Sequence, residues 1–241
     1  MAINLNKIVY DIINIAYGGE SSDDADVSFR QCAFWVMQER SMLLTQMMSR
    51  KVRVPASCTE YLNCVYLEPV DASECCEVDM GVHVLKSISP IPTTVQRNNR
   101  DSILAVESLD GARAFSETTD TRRKWNKYNK YTSSNARWYL KNGYLYISCD
   151  MLIEAVKVTG VFEDPTEVWK MNYCTSAKNP IISACEYDWE FPFPISLSMA
   201  NSVTNQILQK RINIILSTPG DETNNANGDR LPGPTRQQAG N

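Results

Sequence analysis

An Asn142-Gly143 pair between two runs of β-branched and aromatic residues constrains this chain more than any other sequence feature. A two-residue hairpin loop needs positive φ at both positions, and Asn-Gly adopts such φ values at the least steric cost. The pair therefore predicts a β-hairpin in which Lys141 lies opposite Tyr144, and each preceding residue pairs with the corresponding residue beyond the turn.

The hairpin register predicts two faces of different chemistry, because side chains alternate along a strand and directly opposed residues share a face. One face is apolar and requires a core, whereas the other is rich in tyrosine and is free to meet water or a partner. The apolar face contains Trp138, Leu140, Leu145 and Ile147. The tyrosine face contains Tyr139, Lys141, Tyr144 and Tyr146.

Residues 153–162 predict a third strand, which ends at Asp164-Pro165-Thr166-Glu167. Asp164 can cap a short helix, Pro165 suits its first position, and Glu167 has the spacing of a capping box. Shorter strand-like pieces precede the hairpin without helices between them, at residues 65–67, 82–85 and 102–106. This succession of five or six short strands favours an antiparallel sheet or a small sandwich.

Apolar residues recur at helical spacing near both ends of the chain. They predict amphipathic helices at residues 4–17, 27–50 and 196–216, the second of which carries Arg40 within its apolar stripe. We therefore expect an α+β protein: a helical bundle from both chain ends, with an inserted antiparallel β block and an extended C-terminal tail. The expected units are N-terminal helices (1–51), the β block (52–165), C-terminal helices returning to the bundle (166–217) and the tail (218–241).

The tail at residues 218–241 is rich in glycine, proline, asparagine and charged residues. A segment of this composition cannot bury a core of its own. We therefore expect contacts with another chain to hold it.

Eight cysteines, a single histidine and no CxxC pair argue against both a zinc site and a disulfide framework. The adjacent Cys75 and Cys76 would form a strained disulfide, so we expect free thiols that are mostly buried. No apolar run approaches the roughly 20 residues needed to cross a bilayer, and the N-terminus lacks a basic signal-peptide region. These features predict folding in a cytoplasm and no membrane partner.

Residues 122–141 carry seven lysines and arginines and no acidic residue, in a chain of net charge −4. Cations interleaved with aromatic rings suit single-stranded nucleic acid, but an acidic chain is atypical of a dedicated nucleic-acid binder. The alternatives are a lysine-rich loop that leads into a strand, and docking on an acidic protein neighbour. The candidate contact residues are Arg122, Arg123, Lys124, Trp125, Lys127, Tyr128, Lys130, Tyr131, Tyr139, Tyr144 and Tyr146.

The chain contains no phosphate-binding, dinucleotide-binding, zinc-protease, nucleophile-elbow or EF-hand pattern. His83 lies among apolar residues in a strand pattern, which is more typical of a core or cross-strand histidine than of a general base. Glu186, Asp188 and Glu190 alternate along an extended segment, which is more often a solvated edge than a cation site. We therefore expect no enzyme activity, no cofactor, no metal and no catalytic residue.

Several stretches, in this order and spacing, resemble a family of virion structural proteins of crAss-like tailed bacteriophages that infect gut Bacteroidetes. The resemblance covers roughly residues 3–225. It is carried by INLNKIVYDIINIA, SFRQCAFWVMQERSMLL, VDASECC, SISPIP, KWNKYNKYT, YLKNGYLYI, VTGVFEDP and PFPIS, followed by a helix and a Pro/Asn/Asp tail.

The resemblance implies a neck or connector protein that is stacked as a ring between portal and tail. It implies a homo-oligomeric ring, for example a dodecamer, around the channel through which DNA passes, in a virion assembled in the bacterial host cytoplasm. The implied partners are the portal and other neck or tail proteins, and no catalytic or metal residue is carried over. A tail or baseplate adaptor, and a nucleic-acid-binding accessory protein acting through residues 122–141, are the alternatives.

Overall fold

The computed structural model describes residues 3–18, 27–70, 83–97, 100–126, 128, 130–131, 135–149, 153–173 and 186–213. Within these residues the helices are α1 (Leu5–Tyr17), α2 (Phe29–Ser49), α3 (Asp120–Asn126), α4 (Pro165–Tyr173) and α5 (Leu197–Ile207), with a π-helical turn at Leu208–Ile212. The strands are β1 (Glu60–Pro69), β2 (His83–Ser87), β3 (Gln96–Arg97), β4 (Arg100–Asp101), β5 (Ile103–Ser108), β6 (Ala114–Glu117), β7 (Arg137–Lys141), β8 (Tyr144–Cys149) and β9 (Ala155–Gly160).

The hairpin of β7 and β8 has the predicted register, with Trp138 opposite Ile147 and Lys141 opposite Tyr144. Asn142 and Gly143 have φ values of 51° and 79°, so both turn residues occupy the left-handed region that the two-residue loop requires. The prediction of this hairpin is confirmed.

Seven strands close into a barrel in the order β1-β2-β8-β7-β6-β5-β9, while β3 and β4 form a separate two-stranded sheet. β6 and β7 are parallel, and the other neighbouring pairs in the barrel are antiparallel. The expectation of a purely antiparallel block is therefore wrong at one pair. Parallel neighbours need a crossover connection, and the connection between β6 and β7 contains α3, a helix that sequence patterns did not predict.

The barrel interior is a hydrophobic cluster contributed by all its longer strands. Trp138 lies in this cluster and donates its indole N–H to the carbonyl of Phe115 at 3.1 Å, so the ring is buried with its polar group satisfied. Gly160 packs closely against this cluster: a Cβ atom at this position would lie only 3.2 Å from the Phe162 ring and from the Ser102 carbonyl oxygen, which is closer than an ordinary van der Waals contact. The buried members include Leu62, Val65, Leu85, Val106, Leu145, Ile147, Val156, Val158 and Phe162.

Polar caps begin all five described α-helices, since each cap supplies an oxygen to a backbone N–H of the first turn. These caps are Asn4, Ser28, Thr119, Asp164 and Ser196. α1 ends at Gly18, whose φ is 70°, so its predicted start and end are both confirmed. The predicted helix at residues 196–216 is confirmed as far as residue 213, and its last three residues lie outside the described part of the chain.

α1, α2 and α5 pack against one another and share a second hydrophobic cluster. The N-terminal segment pairs here with the extended segment before α5, since the Phe193 N–H donates to the Ile3 carbonyl at 2.7 Å. Asn4 and Asn6 both donate to the carboxylate of Glu190. Buried members of this cluster include Leu5, Val9, Ile12, Val36, Leu44, Val203 and Ile207.

Ion pairs connect the π-helical turn that follows α5 to α2. Glu39 on α2 is 1% exposed, and its carboxylate lies 3.3 Å from Arg211 and 3.8 Å from Lys210. The Arg211 guanidinium also lies over the ring of Trp35, 5.4 Å from its centroid. These contacts hold the end of the described chain against the second helix.

Candidate contact surfaces and the buried Arg40 cluster

The basic-aromatic surface, residues 122–131, begins on α3 beside the outer side of β7. The Thr119 hydroxyl accepts from the backbone N–H of Arg122 at 3.3 Å and so caps the first turn of α3. Asp120 lies 3.3 Å from the ammonium of Lys141 on β7, which ties the helix to the hairpin. The surface is thereby positioned next to the most strongly specified strands of the barrel.

Three aromatic rings of this surface are exposed to solvent. Trp125 and Tyr128 are each 72% exposed with their rings 6.3 Å apart, and Tyr131 is 85% exposed. The ammonium of Lys130 lies 5.5 Å from the ring centroid of Tyr131. Aromatic rings with this much exposed apolar area in one segment are typical of binding surfaces, because burying them in an interface lowers the free energy.

The remaining cations of the surface are only partly described. Arg122 is exposed on α3. The side chains of Arg123 and Lys124, and all of Lys127, lie outside the described residues, so their predicted contact role stays a prediction.

The hairpin tyrosines, Tyr139, Tyr144 and Tyr146, do not form a uniformly open face. Tyr139 is only 3% exposed and stacks on Tyr146, with ring centroids 5.2 Å apart and an interplanar angle of 11°. Tyr144 is partly exposed and lies beneath the ammonium of Lys86, 4.6 Å from its ring centroid. The expectation that this face is free to meet water or a partner is therefore wrong for Tyr139, whose ring is buried in the single chain.

Arg40 is fully buried and joins three segments that are distant in sequence. It donates to the Phe162 carbonyl at 2.8 Å, to the Pro194 carbonyl at 2.9 Å and to the Glu60 carboxylate at 3.2 Å. Its guanidinium also lies 5.6 Å from the ring centroid of Phe193. Arginine suits this position because its planar group presents several donors in fixed directions.

We call Arg40, Glu60 and the two carbonyl groups the Arg40 cluster. Its two charged side chains are shielded from solvent. Burial raises the pKa of Glu60 to about 7, and the nearby Arg40 opposes this shift. Burial lowers the pKa of Arg40, while Glu60 acts in the opposite direction. Each partner is therefore needed to keep the other charged in the interior.

An aromatic groove runs between α4, the start of β1 and the extended segment before α5. Its volume is about 720 Å³, and its walls include Trp169, Tyr173, Tyr187, Phe191 and Tyr61. The Trp169 ring lies 5.6 Å from that of Tyr173 and 5.4 Å from that of Tyr187. Sequence patterns did not predict this groove, although Trp169 and Tyr173 are four residues apart and so share one helical face.

The edge of the groove is stabilised at an irregular point of the barrel. The pairing of β1 with β9 shifts register between Leu62 and Val65, where a bulge leaves backbone groups without strand partners. Asn172 on α4 accepts from the Asn63 N–H at 3.0 Å and donates to the Tyr61 carbonyl at 2.7 Å. α4 is thereby held beside the bulge, and its aromatic face is turned towards the groove.

The described cysteines are free thiols: Cys32, Cys58 and Cys149 are buried, and Cys64 is exposed. Burial raises the pKa of Cys32 to about 12, so this thiol is a poor nucleophile at neutral pH. The other four cysteines and the side chain of His83 lie outside the described residues, although His83 occupies the first position of β2.

Within the described ranges, no group of three or more His, Cys, Asp or Glu side chains lies close enough to hold a metal ion. Glu190 accepts from Asn4 and Asn6, and Asp188 accepts from the Glu190 N–H at 3.0 Å. The Glu190 carboxylate thus connects the N-terminal segment to the chain before α5, and Asp188 stabilises the turn in that chain. No helix of the described part of the chain is both long and apolar enough to span a membrane.

The described part of the chain has two surfaces with exposed aromatic rings, the basic-aromatic surface and the aromatic groove. Surfaces of this kind are typical of protein–protein contacts. The family model for phage tail ring protein 2 matches residues 7–230, so the chain is of the class of phage structural ring components. It belongs to the phage tail ring protein 2 family of crAss-like phages. No curated protein matches the chain.

Proposed function

We propose that this protein forms a homo-oligomeric ring in the head-to-tail connector, stacked between portal and tail around the channel through which DNA passes. Membership of a phage ring family supports assembly into a ring. In this proposal, α1, α2 and α5 form a bundle from both chain ends, the β block projects from it, and the tail at residues 218–241 extends to another chain.

The observation that carries the proposal is the exposure of three aromatic rings in residues 122–131, the segment that begins on α3 beside β7. Trp125, Tyr128 and Tyr131 are more than 70% exposed in the single chain. Side chains of this type bury a large apolar area at an interface, and aromatic residues are enriched in such interfaces. The adjacent cations favour a neighbour that is acidic, as the rest of this chain is.

A head-to-tail contact between copies is the arrangement that generates a closed ring. Such an interface joins two different patches of the same chain, and repetition of one rotation closes it. The basic-aromatic surface supplies a positive patch on a chain of net charge −4. A negative patch on the next subunit is therefore the expected docking site for it.

Native mass spectrometry of the full chain, alone and mixed with the portal protein and with tail proteins of the same phage, tests this function. We expect a ring whose mass is a multiple of 27.2 kDa and which binds the portal protein. A protein that stays monomeric at all concentrations and with every neighbour contradicts the ring. A ring that binds tail or baseplate proteins and not the portal supports instead the tail-adaptor alternative.

Matched variants connect this assay to the proposed surface. Trp125→Ala and Tyr131→Ala should weaken the ring or its binding to neighbours, because each removes an exposed ring from the surface. Leu104→Ala is the control, since Leu104 is 58% exposed on β5, outside this surface. Equal effects of all three variants would contradict a specific role for the basic-aromatic surface.

A nucleic-acid-binding function is the second candidate, favoured by the same exposed rings and by Lys130 beside Tyr131. It predicts binding of single-stranded DNA that weakens with salt, and loss of this binding when Arg122, Arg123, Lys124 and Lys127 are replaced by Ser. Absence of binding by the wild-type protein at low salt would exclude it.

A further inference from the structure

We propose that the aromatic groove binds residues 231–234 of the adjacent subunit's C-terminal tail. This inference rests on the proposed homo-oligomeric ring and identifies one contact that joins neighbouring copies. The evidence comes from the geometry of the groove, the chemistry of the tail and the positions of both along α5.

The groove is open to a ligand along its rim. Tyr61, Tyr173 and Leu197 line it and are 49%, 61% and 67% exposed, whereas Tyr187 is buried in its wall. Its volume of about 720 Å³ lies within the usual range of specific ligand sites. The phenolic groups of Tyr61 and Tyr173 can donate hydrogen bonds to the carbonyl groups of a bound peptide.

The tail contains a sequence suited to such a groove, Leu231-Pro232-Gly233-Pro234. Each proline has a restricted φ and disfavours the helical region for the residue before it, so this segment favours a polyproline II conformation. Aromatic-lined grooves recognise this conformation, and a peptide that already favours its bound conformation loses less entropy on binding.

Charge complementarity supports the same ligand. Arg230 and Arg236 flank the proline segment. Glu186 and Asp188, which are both exposed, flank Tyr187 on the segment that forms one wall of the groove. The carboxylates and the arginines can therefore pair at the rim while the prolines contact the rings.

The groove lies at the start of α5, and the tail follows the other end of this helical segment in the sequence. Leu197 lines the groove at the start of α5, and the described chain ends at Asn213, about 24 Å further along the helix axis. A site at the start of the helical segment and a ligand that follows its end in the sequence suit a head-to-tail contact, which generates a ring. The residues from Asn213 to Leu231 can span up to roughly 59 Å when extended, enough to reach a neighbouring subunit.

Isotope-mixed cross-linking of the full chain tests the inference. Protein carrying a photo-reactive phenylalanine analogue in place of Leu231 is mixed with ¹⁵N-labelled wild-type protein and irradiated. We expect cross-linked peptides of mixed isotope composition that join residue 231 to residues 165–173 or 187–197. Pro232→Ala with Pro234→Ala in the photo-reactive chain, or Tyr173→Ala in the labelled chain, should reduce their yield at least about tenfold.

Tyr10→Ala in the labelled chain is the matched control, since Tyr10 is 55% exposed on α1 and lies outside the groove lining. Cross-links only within one chain, or only to another surface, would overturn the inference. Native mass spectrometry of the same samples separates the two proposals. Closed rings without mixed-isotope cross-links to the groove would support the ring and reject the groove contact. Cross-links between the groove and another chain's tail, without closed rings, would support the groove contact and reject the ring.

Discussion

Arg40 on α2 lies 3.2 Å from the carboxylate of Glu60 on β1, and this buried ion pair connects the packed helices to the barrel. The same guanidinium holds the carbonyl groups of Phe162, just after β9, and Pro194, just before α5. One side chain therefore joins the helices, the barrel and the segment that lines the aromatic groove. These contacts give the buried charge of Arg40 a structural role.

Replacing Arg40 alone should strongly destabilise the fold. Arg40→Met should lower the free energy of unfolding by about 3–5 kcal/mol, because it leaves Glu60 and two carbonyl groups without their buried donor. The combined change Arg40→Met with Glu60→Met should be less damaging than the single change, since no unpaired buried charge remains. Urea denaturation monitored by circular dichroism measures both. A loss below about 1 kcal/mol in Arg40→Met would contradict the structural role.

Glu60 should make stability depend on pH between about 4.5 and 7. Its pKa is raised from 4.5 to about 7, so in this window the folded protein binds more protons than the unfolded protein. Its contribution to the free energy of unfolding is therefore complete below pH 4.5 and is lost as the pH rises through 7, by up to about 3 kcal/mol. Urea unfolding of wild type and Glu60→Gln across this range should show a shallower slope in the variant. Equal slopes would show that another group is responsible.

Gly143→Ala should destabilise the hairpin by about 1–2 kcal/mol, because alanine is strained at a φ of 79°. Among the described residues other than its two chain neighbours, no atom lies within 4 Å of the position that its Cβ would occupy, so the loss comes from the backbone alone. Gly143→Asn should cost less, since asparagine tolerates the left-handed region. Thermal unfolding distinguishes the two, and equal losses would contradict the assignment of strain to the turn.

Two tyrosines that sequence patterns placed in one contact surface should respond differently to truncation. Tyr139→Ala should lower the free energy of unfolding by about 3 kcal/mol, because its ring is buried against Tyr146. Tyr131→Ala should change it by less than about 0.5 kcal/mol, because Tyr131 is 85% exposed. Chemical denaturation checks both values. A Tyr139→Ala protein as stable as the wild type would contradict the buried packing role of this ring.

The features predicted correctly depend on residues close together in the chain. Asn142-Gly143 sets the hairpin register, and Asn4 and Gly18 set the limits of α1. The cations and rings of residues 122–131 are likewise evident from the sequence, and their contact role stays a prediction. The helix α3 was not predicted, because residues 120–126 have no apolar stripe at helical spacing.

The amino-acid sequence by itself determined these local elements, because turn sterics and helix caps act between near neighbours. Only the tertiary structure decided the barrel closure, the parallel β6–β7 pair and the burial of Tyr139. It also selected Glu60, Phe162 and Pro194 as the partners of Arg40, and assembled the aromatic groove from four separate segments. Such contacts join residues far apart in sequence, so they depend on how whole elements pack, which no local pattern specifies.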